Sequence, residues 1–321
     1  MGQELVSVIM STYNENESWV KKAIESIINQ TYQSIEFIIV LDNPDNAIIR
    51  NIVYEYSKKD NRIIVIENEK NLGLVSSLNK ALKLSKGAYI ARMDADDISE
   101  KERIEKQLIF LKKNKSDLVG SGVAFIDESD NLMFGKAEKL HYSDYYIKHT
   151  LDFQNCIYHP TWLVRKELFL YLNGYRNISY CEDFDFLLRA KESNAKLDVL
   201  KEVLVYYRYN TKGISRTNKA NQRCITLYMR HNRNIIKQIA PEVINTFPNT
   251  KKGKRILADC EKYYAYSQLA IESKAKGKRI NQLVEMGKCV LFTYNGKIKM
   301  IDSIRDQYLL YREKYGRRRE K

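Results

Sequence analysis

No stretch of this 321-residue chain approaches the ~18 consecutive apolar residues needed to span a bilayer, which argues against a membrane-crossing helix. Residues 1–17 enter a strand-like run directly and lack the basic-then-apolar layout of a secretory leader. The Met-Gly start is followed at the sixth position by Val6, which does not fit an N-myristoylation signal. Cysteine is sparse and odd in number: Cys156, Cys181, Cys224, Cys260 and Cys289 are scattered, with no CxxC or Cys/His ligand spacing. That excludes a disulfide framework and a structural zinc site, and it suits a reducing cytoplasm. Of the four histidines, His141, His149 and His231 show no ligand spacing either. There is no internal repeat, and only residues 317–321 are compositionally biased.

What is present is a globular composition. Apolar residues make up 44% and aromatics 11%, mostly tyrosine, which excludes a disordered chain. Charge is divided unevenly. Residues 1–219 carry 31 basic and 31 acidic side chains, whereas residues 220–321 carry 23 and 9, so the whole excess of +14 lies in the last third. A neutral body with a basic tail reads as two functional parts, 1–219 and 220–321.

The body alternates β-branched runs with helical periodicity, the pattern of an α/β fold with a mostly parallel sheet flanked by helices. Strands are expected over 6–10, 37–41, 63–67, 88–93 and 118–126, with helices over 18–29, 47–58, 75–85 and 104–113 between them. Residues 164–172 and 184–193 read as helices and 203–209 as a strand. From about residue 221 the pattern is helical. Ile225, Tyr228, Met229, Ile236 and Ile239 share one face, Leu257, Cys260, Tyr264 and Ile271 another, and Gly277 separates two helices of a hairpin.

Ligands of an open parallel sheet bind beyond the carboxyl ends of its strands. Polar residues recur at those ends here: Thr12, Tyr13, Asn14 and Glu15 after the first strand, and Asp42 after the second. Asn71-Leu72-Gly73 follows the third and Asp94-Ala95-Asp96-Asp97 the fourth. Asp94 and Asp96 offer two hard oxygens from one turn, the donor type that Mg²⁺ or Mn²⁺ takes together with diphosphate oxygens. The competing reading is a helix start capped by Asp97 or Ser99. Both can hold, with Asp97 serving the turn. A second acidic group, Glu182, Asp183 and Asp185, opens an apolar helical run and invites the same pair of readings, N-cap or general base.

In this order the segments 7–15, 36–42, 71–73, 87–97, 182–183 and 207–210 resemble family 2 glycosyltransferases of the GT-A fold, over about residues 5–215. The resemblance is to enzymes of bacterial capsule, exopolysaccharide and O-antigen assembly. It implies inverting transfer from a nucleotide sugar, usually a UDP-sugar, with Mn²⁺ or Mg²⁺. Carried over by position, Tyr13 and the backbone near Thr12 would lie against the base, and Asp42 would bond the uracil edge. Glu15 and Asn71 would line the nucleotide pocket. Asp94 would meet ribose or metal, Asp96 would ligate the metal, and Asp183 would be the general base. His159, in Asn155-Cys156-Ile157-Tyr158-His159-Pro160-Thr161, would touch donor or acceptor sugar, or else be a buried structural histidine. Glu182 is a further candidate sugar contact. Arg208, with Ser215, would approach the diphosphate, or else be a solvated arginine on a sheet edge. The chain departs from the family in having Leu41-Asp42-Asn43-Pro44 where two acids and a Gly-Ser are common, which leaves the donor open.

The basic tail has three readings. Lys251, Lys252, Lys254 and Arg255, then Lys274, Lys276, Lys278 and Arg279, then Arg317, Arg318 and Arg319, suit an anionic leaflet on the inner face of the plasma membrane. There the acceptor would be a lipid-linked glycan, for example on undecaprenyl diphosphate. The alternative is a solvated extension or a homo-oligomer contact. A nucleic-acid partner is not expected, because no RNA- or DNA-binding module is recognisable.

Overall fold

The structure, a computed structural model, describes residues 3–133, 142–210, 213 and 217–315, so His141, Ser215 and the 317–321 cluster lie outside the described residues. It divides into two compact units. One comprises Met1–Ile147, Cys156–Asn177 and Arg189–Asn210; the other comprises Lys148–Asn155, Ile178–Leu188 and Thr211–Lys321. The division therefore follows packing rather than a single cut at residue 219, because two short inner segments join the C-terminal helices.

The first unit is built on one sheet. Its strands are β1 (Val6–Thr12), β2 (Ile35–Leu41), β3 (Ile63–Glu67), β4 (Tyr89–Asp94), β5 (Ile98–Ser99), β6 (Leu118–Ile126), β7 (Leu163–Arg165) and β8 (Leu197–Arg208). Their order is β3-β2-β1-β4-β7-β6-β8-β5. The strands β3, β2, β1 and β4 run parallel, β7 is antiparallel to both β4 and β6, and β6 and β8 are parallel. The helices α1 (Glu17–Ile28), α2 (Ala47–Lys59), α3 (Leu74–Leu84) and α4 (Arg103–Asn114) supply the flanking layers. The sheet is mixed with flanking helices, in keeping with the α/β reading.

The central strands form because their runs are apolar on both faces, as a strand covered on both sides requires. Val8, Ile9, Met10, Ile38, Ile39 and Val40 are all fully buried. Burying each such side chain contributes roughly 1.5–3 kcal/mol. Register then fixes the chemistry: Ser11 pairs with Asp94 and Thr12 with Leu41, the residue before Asp42, so the carboxyl ends of three strands lie at one level.

One expectation fails locally. Residues 164–165 are not helical, since Leu163–Arg165 is the strand β7, and the helix α5 (Asp144–Thr150) precedes it while α6 (Lys166–Tyr171) follows it. A three-residue apolar run carries no usable period, and insertion between β4 and β6 decides its conformation.

In the second unit α7 (Glu182–Glu192) begins, and α8 (Lys219–His231), α9 (Pro241–Thr246), α10 (Lys251–Ala275), α11 (Arg279–Phe292) and α12 (Tyr294–Tyr315) follow. Thr250 caps α10 by accepting from the Gly253 amide. Gly277 has φ +70° between α10 and α11, the turn expected of a hairpin. Cys224, Ile225, Met229, Ile236 and Cys260 are buried, but Ile271 is exposed because Ala270 takes the inward position. Among the described residues no helix is long and apolar enough to cross a membrane.

Gly87 sits where β4 begins to pass beside β1, and a Cβ there would lie 2.6 Å from the Ser7 amide nitrogen and 2.7 Å from the Leu5 carbonyl oxygen. Both obstacles are backbone. Gly87→Ala is expected to cost about 1–3 kcal/mol in urea unfolding, the usual range for overpacking.

Candidate active site

The loop after β1 is tied by its own carboxylate. Glu15 Oε2 accepts from Thr12 Oγ1 at 2.6 Å and from the Tyr13 amide at 2.8 Å. That leaves the Tyr13 ring 42% exposed and able to stack on a planar ligand. Asn14 Oδ1 accepts from Asn43 and Asn46, which joins this loop to the one after β2.

Asp42 is buried and organises the next loop. Its Oδ1 accepts from Asn68 Nδ2 and from the Leu72 amide, both at 2.8 Å, and its Oδ2 accepts from the Gly73 amide at 2.9 Å. Asn71 Oδ1 accepts from the same Gly73 amide, and Gly73, with φ +82°, opens α3. Asp42 therefore holds Asn71-Leu72-Gly73 against the sheet. A carboxylate has about four acceptor positions, so Oδ2 retains capacity for one further donor.

The acidic turn after β4 rests on buried arginines. Arg92 donates to the Met93 carbonyl and to Asp94 Oδ1, and Arg103 Nη2 donates to the Arg92 carbonyl at 2.6 Å. Burial lowers the Arg103 pKa to about 9, against the pull of Asp97. Asp96 is pushed up to about 7, first by burial and then by the charges of Asp94 and Glu15, with a hydrogen bond from Asn210 opposing them. These acids crowd one another.

Asp97 and Ser99 do not cap α4, contrary to one reading. Asp97 is buried, and its Oδ1 accepts from the Arg208 amide at 2.8 Å. Ser99 belongs to β5, and α4 begins after Glu102 without a side-chain cap. The turn is fastened to β8 instead.

Arg208 is likewise not a solvated edge residue, since it is 2% exposed. Its Nε donates to the Asp96 carbonyl at 2.7 Å and its Nη1 to the Asp127 carbonyl at 2.8 Å. Nη2 pairs with Asp130 at 2.6 Å, and the guanidinium lies 4.9 Å from the Trp19 ring centroid. Nε and Nη1 are thus spent on backbone carbonyls, one of them in the acidic turn.

His159 follows its buried reading. Nε2 lies 2.8 Å from the Tyr175 hydroxyl, and the ring packs edge-on against Trp162 and Tyr175. Burial drives its pKa well below the ordinary value, so the imidazole is neutral.

In the second unit, Glu182 and Asp183 are the first two residues of α7. Asp183 is inside the first turn rather than at the N-cap. Its Oδ1 accepts from the Phe184 amide at 2.6 Å and its Oδ2 from Asn155 Nδ2 at 2.7 Å. Just upstream, Tyr180 holds φ +64°, a strained value for an aromatic residue, and Gln222 Nε2 donates to its carbonyl. Strain of this kind collects at functional positions. Asp185 is fully buried, whereas Asp183 and Glu182 are half-buried.

Sequence reasoning missed Arg92, Arg103 and Asn155. The two arginines had a faint signal, a cation inside a strand and another at a helix start beside the acids. Asn155 had none.

Whether residues here would hold a divalent ion rests on the donor set. Among the described residues no three His, Cys, Asp or Glu side chains form a ready-made cage. Mg²⁺-type sites use one or two carboxylates and take the rest from phosphate and water. Asp94 and Asp96, two carboxylates from one turn, fit that donor pattern.

Two outcomes follow. Because the buried imidazole resists protonation, the His159 ring signals in a pH-titrated NMR spectrum should not move between about pH 8 and pH 5.5. Asp42→Ala should cost about 1–3 kcal/mol and speed hydrogen exchange at the Leu72 and Gly73 amides, which lose their acceptor.

Comparison with known proteins gives a consistent picture. An uncharacterized glycosyltransferase of Methanocaldococcus jannaschii is 42% identical over 210 residues, covering 65% of this chain and 72% of its own. The O-antigen biosynthesis glycosyltransferase WbnJ of Escherichia coli is 33% identical over 231 residues, covering 71% and 88%. Among solved structures, S. aureus TarS 1–349 in complex with UDP-GlcNAc superposes with TM-score 0.56 at 16% identity, over 90% of this chain and 92% of that one. This last likeness is one of fold. The model of the family described as "Glycosyl transferase family 2" matches residues 7–171, and with these relatives it establishes that the chain is a glycosyltransferase of that family.

Proposed function

We propose that the enzyme transfers a sugar from a UDP-sugar to a hydroxyl of a lipid-linked glycan during surface polysaccharide assembly, with inversion at the anomeric carbon. The observation that carries the reading is the acidic turn Asp94-Ala95-Asp96-Asp97, set on buried arginines at the carboxyl edge of a nucleotide-type sheet. The UDP-GlcNAc in the TarS complex supports the donor class, and the name of WbnJ supports the setting.

Asp94 and Asp96 would hold Mn²⁺ or Mg²⁺, which when bound neutralises charge on the departing diphosphate. The protein's own groups do the rest. Tyr13 stacks on the base, while Asp42 and Asn71 keep the adjoining loop in place. A sugar hydroxyl is a weak nucleophile near neutral pH, so a carboxylate that takes its proton speeds attack by about 10²–10⁴-fold. Asp183 is assigned that role. Asn155 and the Phe184 amide orient its two oxygens. Attack opposite the leaving group needs one base and no second carboxylate nucleophile.

Release of UDP from a panel of UDP-sugars, measured with Mn²⁺ and again with EDTA, tests the chemistry. Release should require the metal. Asp183→Asn should lower transfer by at least ~10²-fold while UDP binding stays within a few fold. Asp96→Ala should instead weaken metal-dependent donor binding. Normal turnover by Asp183→Asn overturns the base assignment.

A further inference from the structure

The last two helices turn apolar side chains outward. On α11, Ile280, Leu283, Val284 and Leu291 fall at helical spacings of three, four and seven, and they are 50% to 77% exposed. Cys289, on the opposite face, is the buried one. On α12 the inward positions are Asn295, Asp302 and Leu309, seven residues apart. Met300, Ile301, Ile304, Tyr308 and Tyr311 occupy the other side and are 46% to 63% exposed. Apolar stripes of this extent mark an interaction surface rather than ordinary scatter.

Charge selects the occupant. Residues 276–315 hold nine basic and four acidic side chains. Arg279 flanks the α11 stripe on one side and Lys288, ion-paired with Glu285, on the other, and Arg305 and Arg312 lie along one edge of that on α12. A helix with an apolar face edged by cations lies in the interface of an anionic bilayer, with its tyrosines at headgroup level. Neither helix is apolar enough to span. Two copies meeting on either stripe would bring the same basic excess together.

We infer that α11 and α12 dock on the surface of an anionic bilayer by burying these stripes at the headgroup boundary, with the surrounding cations meeting lipid phosphates. This deepens the reading of a lipid-linked acceptor, but vesicle binding is measured without turnover, so the two can fail separately.

The test is co-sedimentation of the full chain with vesicles of phosphatidylcholine alone or mixed equally with phosphatidylglycerol. Half-binding to the mixed vesicles should need about tenfold less lipid or better. The variant Ile280→Gln/Leu291→Gln changes two exposed side chains, so its circular-dichroism melt and its UDP release from soluble donor should match the parent. It should lose about tenfold or more in binding to mixed vesicles at low salt, where the cations still act. Equal binding by parent and variant overturns the proposal, because charge alone would then suffice. So does a dimer in analytical ultracentrifugation that the variant dissolves while neither protein binds vesicles.

Discussion

Buried arginines beneath an acidic turn are the constraint on which the first unit depends. Arg92, Arg103 and Arg208 are among its largest buried side chains. A guanidinium out of water must find acceptors, because an unpaired buried charge is costly. Here the acceptors include the carbonyls of Arg92, Met93 and Asp96, so satisfying the arginines fixes the backbone that carries Asp94 and Asp96. Burial first, and then the charges of Asp94 and Glu15, raise the Asp96 pKa. Preorganised charge of this kind costs no rearrangement when a compensating charge arrives.

Much of this was legible in the sequence, and the reasons differ by element. The strands β3 and β6 have the expected bounds, and β1, β2 and β4 differ by a residue or two at an end, because long apolar runs between polar turns leave little choice. The polar residues at the strand ends could be aligned because a parallel sheet brings the same ends to one edge. What could not be read were partners distant in sequence. Asp97 had the look of a helix cap, yet it bonds an amide 111 positions away. Arg208 had the look of an edge residue, yet it is buried against the carbonyls of Asp96 and Asp127. Residues 163–165 carry too few positions to show a period. His159 offered two readings, and only its burial against Tyr175 chose between them.

The second unit shows the same limit for helices. Its helical content and the Gly277 turn followed from pattern, but burial within the pattern did not. One turn of α10 rotates Ile271 outward and Ala270 inward. The basic excess was visible as a count. That large apolar side chains line the outer faces of the same helices needed the packing of Cys289, Asn295, Asp302 and Leu309 to define the inside.

The central claim is that Asp94 and Asp96 take up a divalent ion together with a nucleoside diphosphate. Anomalous scattering from a crystal soaked with UDP and Mn²⁺ tests it directly. The account predicts a manganese peak within coordination distance, about 2.0–2.3 Å, of an Asp96 or Asp94 oxygen and of the diphosphate. A manganese ion bound to the nucleotide but remote from both carboxylates would contradict it.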